Sequence, residues 1–371
     1  MKILIIESNE AKIDRNYKST SIVHVRNSCI IADFLDADLI SIETEIPRTM
    51  EKTYDAIICM YASGYMMYKK YLKILTKNKN ARIFWCVNEY ALPDNILLRN
   101  FVKEHQIGYG MIANLERESY KQSLLNLVIA EHKLNTWIED WHMLNLNALI
   151  FDVTYIRSVE PTLFGEGKED CLYYSTYRPD RLNDLLDYNS GDYAISTSKK
   201  NRIKFEEANI KARFTDKLDW TKGYETLFQF KYSIYLEDTH THTHFNHMAN
   251  RFYECLMLDV LLFFDYRCDL VISRSGYNVD EFMIVKNGDD LNEKMKIIDE
   301  DQSLYDRLLE VQRSNYSIIL QEKQDVLHQI KAILESPKPV VERLDEDKVQ
   351  KKNKTRVKEI DPQIELFKTE S

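Results

Sequence analysis

The chain is poor in glycine and proline, with nine and seven in 371 residues. The loop after its first apolar run carries no Gly-x-Gly-x-x-Gly, which argues against a dinucleotide redox cofactor. Cysteine pairs are missing too. Cys29, Cys59, Cys86, Cys171, Cys255 and Cys268 are scattered, mostly in or beside apolar runs. They read as buried thiols of a reducing compartment, not as a disulfide frame or zinc site. No apolar run is long enough to span a bilayer, and the segment near residue 260 is broken by Asp259 and Asp265. The opening Met1-Lys2-Ile3-Leu4-Ile5-Ile6-Glu7 is too short for a signal peptide and reads as a strand. A soluble, cytoplasmic protein is expected. There is no excess of positive charge either: the net charge of −9 disfavours a protein coated in nucleic acid. It leaves room for local basic surface, such as Lys69, Lys70, Lys73, Lys77, Lys79 and Arg82 on one helix and the turn after it.

What is present is an alternation of short apolar runs with helical patterns. Strands are expected at residues 2–6, 39–42, 56–60 and 82–87, with helices at 20–34 and 65–76. A second alternating set places strands at 171–174, 193–196, 212–215, 232–236, 260–264 and 282–285. Strands separated by helices imply parallel pairing, so the fold class is α/β with two Rossmann-like doubly wound domains facing a central cleft. Pro161, Gly165 and Gly167 mark a hinge between the two sets. Residues 1–165 and 166–300 are the expected domains. Helical spacing from Asp299 to Leu334 then gives long C-terminal helices over 301–336, ended by Pro337 and Pro339. The charged remainder, 337–371, reads as a disordered tail.

Ligands of such sheets bind beyond the carboxyl ends of the strands. Asn250-Arg251-Phe252-Tyr253-Glu254 opens a helix ahead of a wholly buried strand, and it reads as a nucleotide-sugar grip. The helix front and Arg251 suit a diphosphate, and Glu254 on the same face can accept hydrogen bonds from ribose hydroxyls. Arg178-Pro179-Asp180-Arg181 follows another strand, with Pro179 suited to the first helical position. Arg178, Arg181 and Arg251 together would stabilise a departing nucleoside diphosphate. The plainer alternatives are a surface ion pair of Arg251 with Glu254 on an ordinary helix, and helix-face pairing of Arg178 and Arg181 with Asp180 or Asp184. Glu89 directly follows a buried strand and is the candidate general base for a sugar-acceptor hydroxyl; a helix-capping or hinge carboxylate is the alternative. His240, His242 and His244 alternate and offer a zinc or manganese site if extended, but a polar loop before the donor helix is the favoured reading.

Together these positions resemble the phage DNA β-glucosyltransferase family, two-domain GT-B enzymes that glucosylate 5-hydroxymethylcytosine in duplex DNA. Asn88-Glu89-Tyr90-Ala91-Leu92-Pro93 is similar to the family's Thr-Asp-Ile-Arg-Leu-Pro, whose Asp is the base. Tyr174-Ser175-Thr176-Tyr177-Arg178 with Arg181 is similar to Gly-Gly-Ser-Phe-Arg, whose arginines hold the diphosphate. Arg251-Phe252-Tyr253-Glu254 is similar to Arg-Val-Trp-Glu, where Arg meets phosphate and Glu the ribose. The resemblance implies uracil recognition around Leu218 and sugar contacts around Asp238. It also implies that the last helix crosses back onto the first domain. The family's glycines after the first strand and before the first arginine are absent; Tyr173 and Tyr174 stand in the latter place.

The resemblance implies a UDP-sugar donor, with Mg2+ or Mn2+ assisting UDP release and no tightly bound metal, and a monomer acting in an infected bacterial cell. The acceptor would be duplex DNA bearing a hydroxymethylated pyrimidine, 5-hydroxymethylcytosine or 5-hydroxymethyluracil, and the sugar glucose or arabinose. Tyr61, Ser63, Tyr65, Lys69 and Lys70 would face the DNA. Near the end, Gln363, Ile364, Leu366 and Phe367 resemble the peptide by which bacterial replication proteins bind the sliding clamp; a chance apolar cluster is the bland reading. Two rival functions remain: a GT-B enzyme acting on a surface polysaccharide or small molecule, and a non-catalytic, clamp-associated DNA-binding protein.

Overall fold

The computed structural model describes residues 1–7, 23–41, 52–60, 73–87, 104–114, 138–152, 169–218, 225–238 and 248–338. Two six-stranded sheets organise them, and every strand pair is parallel. The first contains β1 (Ile3–Glu7), β2 (Asp38–Ser41), β3 (Ala56–Met60), β4 (Arg82–Val87), β5 (Tyr109–Ala113) and β6 (Ile138–Met143), in the order β2-β1-β3-β4-β5-β6. The second contains β7 (Glu169–Tyr174), β8 (Ala194–Ser196), β9 (Arg213–Thr215), β10 (Phe230–Tyr235), β11 (Leu261–Asp265) and β12 (Ile284–Val285), in the order β12-β11-β10-β7-β8-β9. This is the doubly wound α/β architecture expected from the alternation of runs.

The apolar runs became strands because a parallel sheet covered on both faces buries every residue of its central strands. β1, β3, β5 and β11 are buried along their whole lengths. Close packing also places a glycine: a Cβ on Gly110 of β5 would lie 2.3 Å from the Phe84 ring on β4, so only glycine leaves that ring its place. All six cysteines are buried free thiols, as the scattered spacing implied.

Three sequence expectations need correction. β5 and β6 were not foreseen. The C-terminal helical stretch begins earlier than Asp299, with helix Gly288–Glu300 preceding Gln302–Arg313 and Asn315–Glu335. The element at Pro179 opens as a 3-10 turn, Pro179–Arg181, before the short helix Leu182–Leu186.

Helix Asn315–Glu335 ties the two halves together. Ile319 near its start lies in the core of the second sheet, whereas Val326, Leu327, Ile330, Ile333 and Leu334 lie in the core of the first, with Ile3, Ile5 and Ile58. Each such fully buried aliphatic side chain contributes about 1.5–3 kcal/mol. Polar contacts add direction. Asn145 Nδ2 donates to Tyr253 Oη at 3.0 Å and to Glu322 Oε1 at 2.8 Å. Lys323 Nζ donates to the Phe151 carbonyl at 2.7 Å. No described helix is long and apolar enough to cross a membrane.

Candidate active site

In the second sheet the chain leaves β7 toward β8 and β9 on one side and later returns to β10, β11 and β12 on the other. The loops following β7 and β10 therefore part company at adjacent strand ends, which opens the crevice where doubly wound sheets bind ligands. Tyr174, the last residue of β7, stands at this point, and Leu236, Glu237 and Asp238 follow β10.

Three arginines converge there on two carboxylates. Arg181 Nη2 lies 2.5 Å from Glu237 Oε2 and 3.0 Å from Asp238 Oδ2. Arg251 Nη1 lies 3.1 Å from Glu237 Oε1 and donates to the Leu236 carbonyl at 3.2 Å, while its Nη2 donates to the Tyr174 carbonyl at 2.7 Å. Arg178 reaches Asp238 at 3.5 Å and keeps 47 % of its side chain exposed. The alternative of local pairing with Asp180 or Asp184 is not what forms. Asp184 instead pairs with Arg267 at 3.3 Å, and the partners of Arg178 and Arg181 come from across the switch point.

Burial is the largest influence on Arg181 and Arg251 and opposes their charge, but Glu237, Tyr173 and the other groups around them together outweigh it, and both guanidiniums are held above their ordinary pKa. Among the described residues the buried Nε–H groups of Arg181 and Arg251 meet no hydrogen-bond acceptor. An uncompensated buried donor costs about 1–3 kcal/mol. Such donors suit an incoming anion.

Glu254 sits one helical turn after Arg251 on helix Asn250–Met257, where residues Arg251 to Met257 are all buried. Its Oε2 accepts from the Tyr174 hydroxyl at 2.8 Å. Burial pushes its carboxyl above the usual carboxylate range, and the Tyr174 hydroxyl, Arg26 and Arg251 only partly pull it back. The helix front is less open than the sequence suggested: the Ala249 N–H donates to Tyr235 Oη at 2.8 Å.

A cavity of about 240 Å³ adjoins these groups at the ends of β7 and β8, lined by Tyr174, Thr176, Thr197, Asn201, Lys217 and Leu218 among others. Ser196 Oγ shapes its floor, accepting from the Leu218 N–H at 2.9 Å and donating to the Asp216 carbonyl at 2.9 Å. Leu218 thus lines the cavity, with its N–H already engaged by Ser196. Asp238 lies among the arginines, 1 % exposed. The Ser196-Thr197-Ser198 turn and the role of Tyr174 went unread in the sequence. A Ser-Thr-Ser run directly after an apolar strand was the available signal for the first.

The structure therefore brings together Arg178, Arg181, Arg251, Glu254, Leu218 and Asp238. Glu89, Tyr61, Ser63, Tyr65, Lys69, Lys70, His240, His242, His244, Gln363, Ile364, Leu366 and Phe367 lie outside the described residues. Among the described residues no three His, Cys, Asp or Glu side chains converge to hold a metal ion. Glu237 and Asp238 are engaged by arginines, so this donor set suits a diphosphate and not a resident cation.

No family model and no curated protein matches the chain. Solved structures do. T4 phage β-glucosyltransferase in complex with its UDP-glucose substrate is 15% identical, over 91% of this chain and 100% of that one, with a TM-score of 0.65. The T4 phage enzyme in complex with UDP and Mn2+ matches over the same shares at 15% identity, with a TM-score of 0.63. An α-glucosyltransferase in complex with UDP and a 13-mer DNA containing a central A:G mismatch is 11% identical, over 88% of this chain and 100% of that one, with a TM-score of 0.56. The two parallel six-stranded sheets and the long last helix thus form the GT-B fold, shared over most of the chain with the T4 phage β-glucosyltransferase.

Proposed function

We propose that the chain is a glycosyltransferase that moves a sugar, glucose in the first instance, from a UDP-sugar to the hydroxymethyl group of a modified pyrimidine in duplex DNA. The observation that carries this reading is the set of three arginines at the switch point, beside a cavity whose lining residue Tyr174 hydrogen-bonds the Glu254 carboxylate. The cavity is smaller than the roughly 300–1,000 Å³ of sites that enclose whole drug-sized ligands. It suits the nucleoside, with the diphosphate and sugar extending over the arginines into the crevice. Leu218 borders the base, Glu254 accepts from the ribose hydroxyls, and Arg178, Arg181 and Arg251 neutralise the diphosphate. Asp238 holds Arg178 and Arg181 at the sugar end.

In the reaction, a base flips from the duplex into the cleft and Glu89 removes the hydroxymethyl proton. The oxygen attacks the anomeric carbon as the bond to UDP breaks, and the arginines stabilise the negative charge that the leaving diphosphate acquires. Mg2+ or Mn2+ is assigned no step. Residues 1–165 would take the acceptor, with Tyr61, Ser63, Tyr65, Lys69 and Lys70 toward DNA. Residues 166–300 would take the donor, and 301–336 would cross between them. A DNA-bound structure exists for the α-glucosyltransferase that shares this fold, which favours DNA over a glycan as acceptor.

Two measurements test the reading. UDP at a hundredfold excess over its Kd should add about 2.7 kcal/mol of stability and raise Tm; an unmoved Tm would contradict the donor assignment and favour a non-catalytic DNA-binding protein. Affinity for duplex DNA should fall steeply between low and physiological salt, because lysine–phosphate contacts release counterions. A flat salt dependence would move the acceptor to a polysaccharide or small molecule. For the tail, Gln363, Ile364, Leu366 and Phe367 would tether the enzyme to the sliding clamp and raise its concentration at new DNA. Deleting residues 362–371 should abolish clamp pull-down, and retention of binding would refute the tether.

A further inference from the structure

We infer that Tyr174 is a positioning residue for the donor, fixing both the ribose-binding carboxylate and the diphosphate-binding arginine from the end of one strand. The inference rests on the donor assignment above and names a residue that stands where the resembled family has glycine.

Three contacts of Tyr174 carry it. Its hydroxyl donates to Glu254 Oε2 at 2.8 Å. Its carbonyl accepts from Arg251 Nη2 at 2.7 Å. Its ring centroid lies 4.9 Å from the Arg251 guanidinium carbon, which is 4.8 Å from the Tyr173 ring as well, so both aromatic rings hold the cation. The same residue lines the 240 Å³ cavity. Arg251 and Glu254 are three apart on one helix face, and Tyr174 meets both from the strand side.

The chemistry follows from the inventory of donors around Glu254. Tyr174 faces it from β7, Arg251 and Cys255 belong to its own helix, and Arg26 acts from helix Val23–Leu35. The Cys255 thiol is pushed up to about 12 by burial and adds no charge near neutrality. The Tyr174 hydroxyl is the hydrogen bond that Glu254 receives among the described residues. One carboxylate oxygen is thereby anchored and the other is left for ribose. Without the hydroxyl, a buried carboxylate already raised by desolvation moves further up and takes a proton at a higher pH.

Calorimetric titration with UDP, from about pH 5.5 to about pH 8.5, compares the unaltered chain, Tyr174→Phe and Glu254→Gln. UDP's own phosphate titrates near pH 6 in all three, so Glu254→Gln supplies the baseline. We expect Tyr174→Phe to bind UDP roughly tenfold more weakly at the acid end, as loss of a charge-assisted hydrogen bond allows. Its deficit should narrow as the pH rises and Glu254 ionises. Glu254→Gln should be weak throughout, and adding Tyr174→Phe to it should cost little more. Identical affinity and pH profile for the unaltered chain and Tyr174→Phe would overturn the inference and leave the donor assignment standing. Absence of UDP binding by the unaltered chain would overturn both. Should Tyr174→Phe not fold, a structure of the unaltered chain with UDP decides: Glu254 meeting the ribose while the Tyr174 hydroxyl stays on its other oxygen supports the inference, and a Tyr174 hydroxyl released from Glu254 overturns it.

Discussion

Replacing Glu89 by Gln should lower sugar transfer by about 10²–10⁴-fold, the usual worth of a positioned general base, while UDP affinity stays within about twofold. A hydroxymethyl group holds its proton far above neutral pH, so its oxygen becomes a competent nucleophile only as a base takes that proton in the transition state. Glu89 lies two residues beyond β4, whose strand neighbours are β3 and β5. The chain there leaves the carboxyl end of the first sheet, the end at which doubly wound sheets bind ligands. Gln keeps the size and hydrogen-bonding shape of Glu and removes only the basicity. A capping or hinge carboxylate would respond differently: stability would shift while turnover per folded molecule stayed intact. Single-turnover transfer rates on both proteins, with Tm measured in parallel, separate the two.

Replacing Arg251 by Met should cost about 3–5 kcal/mol of stability and bring UDP binding down by more than about a hundredfold, the reach of two to three lost charge-assisted bonds. The guanidinium is buried and its Nη atoms serve Glu237 and the carbonyls of Leu236 and Tyr174 at once. Met matches its length but leaves those acceptors short of a donor in a place water reaches poorly. Arg178 makes the contrast. Its side chain is half-exposed, and its pairing with Asp238 at 3.5 Å is of the kind worth about 0–1 kcal/mol. Arg178→Ala should therefore leave Tm nearly unmoved and still weaken UDP binding. Thermal melts and UDP titrations of the two variants test the pair; UDP affinity unaffected by Arg178→Ala would remove that arginine from the diphosphate clamp.

Much of the fold was legible because central parallel strands are apolar along their whole length. β3 and β4 are found at the positions that their apolar runs implied. β6 was not legible. Among the described residues it is an edge strand paired with β5 alone, and its sequence, Ile-Glu-Asp-Trp-His-Met, carries two acids, with residues 139–143 only partly buried. The apolar run of β5 contains Gly110, whose reason, the Phe84 ring beside it, lies on another strand. Helix Gly288–Glu300 buries Gly288 and a thin apolar stripe, Leu291, Met295 and Ile298, within a charged stretch.

In the site, residue types were readable and their partners were not. Arg178, Arg181, Arg251 and Glu254 stood out by spacing. That Glu237 and Asp238, 56 and 57 positions beyond Arg181, would hold all three of these arginines follows only from β10 returning beside β7. Likewise the Tyr174 hydroxyl meets Glu254 across 80 positions. Spacing rules describe neighbours on one helix or strand, whereas this cluster is made by the switch point of a sheet.

The most direct test of the account is mass spectrometry of nucleosides from DNA incubated with the protein and UDP-glucose or UDP-arabinose, the DNA carrying cytosine, 5-hydroxymethylcytosine or 5-hydroxymethyluracil. The account predicts a hexose mass on 5-hydroxymethylcytosine with UDP-glucose, none on cytosine, and loss of the product with Glu89→Gln. A pentose mass, or a product on 5-hydroxymethyluracil alone, would keep the chemistry and change the donor or the base. DNA left unmodified in every combination, while the protein slowly hydrolyses a UDP-sugar, would contradict the DNA acceptor and turn the search to glycans.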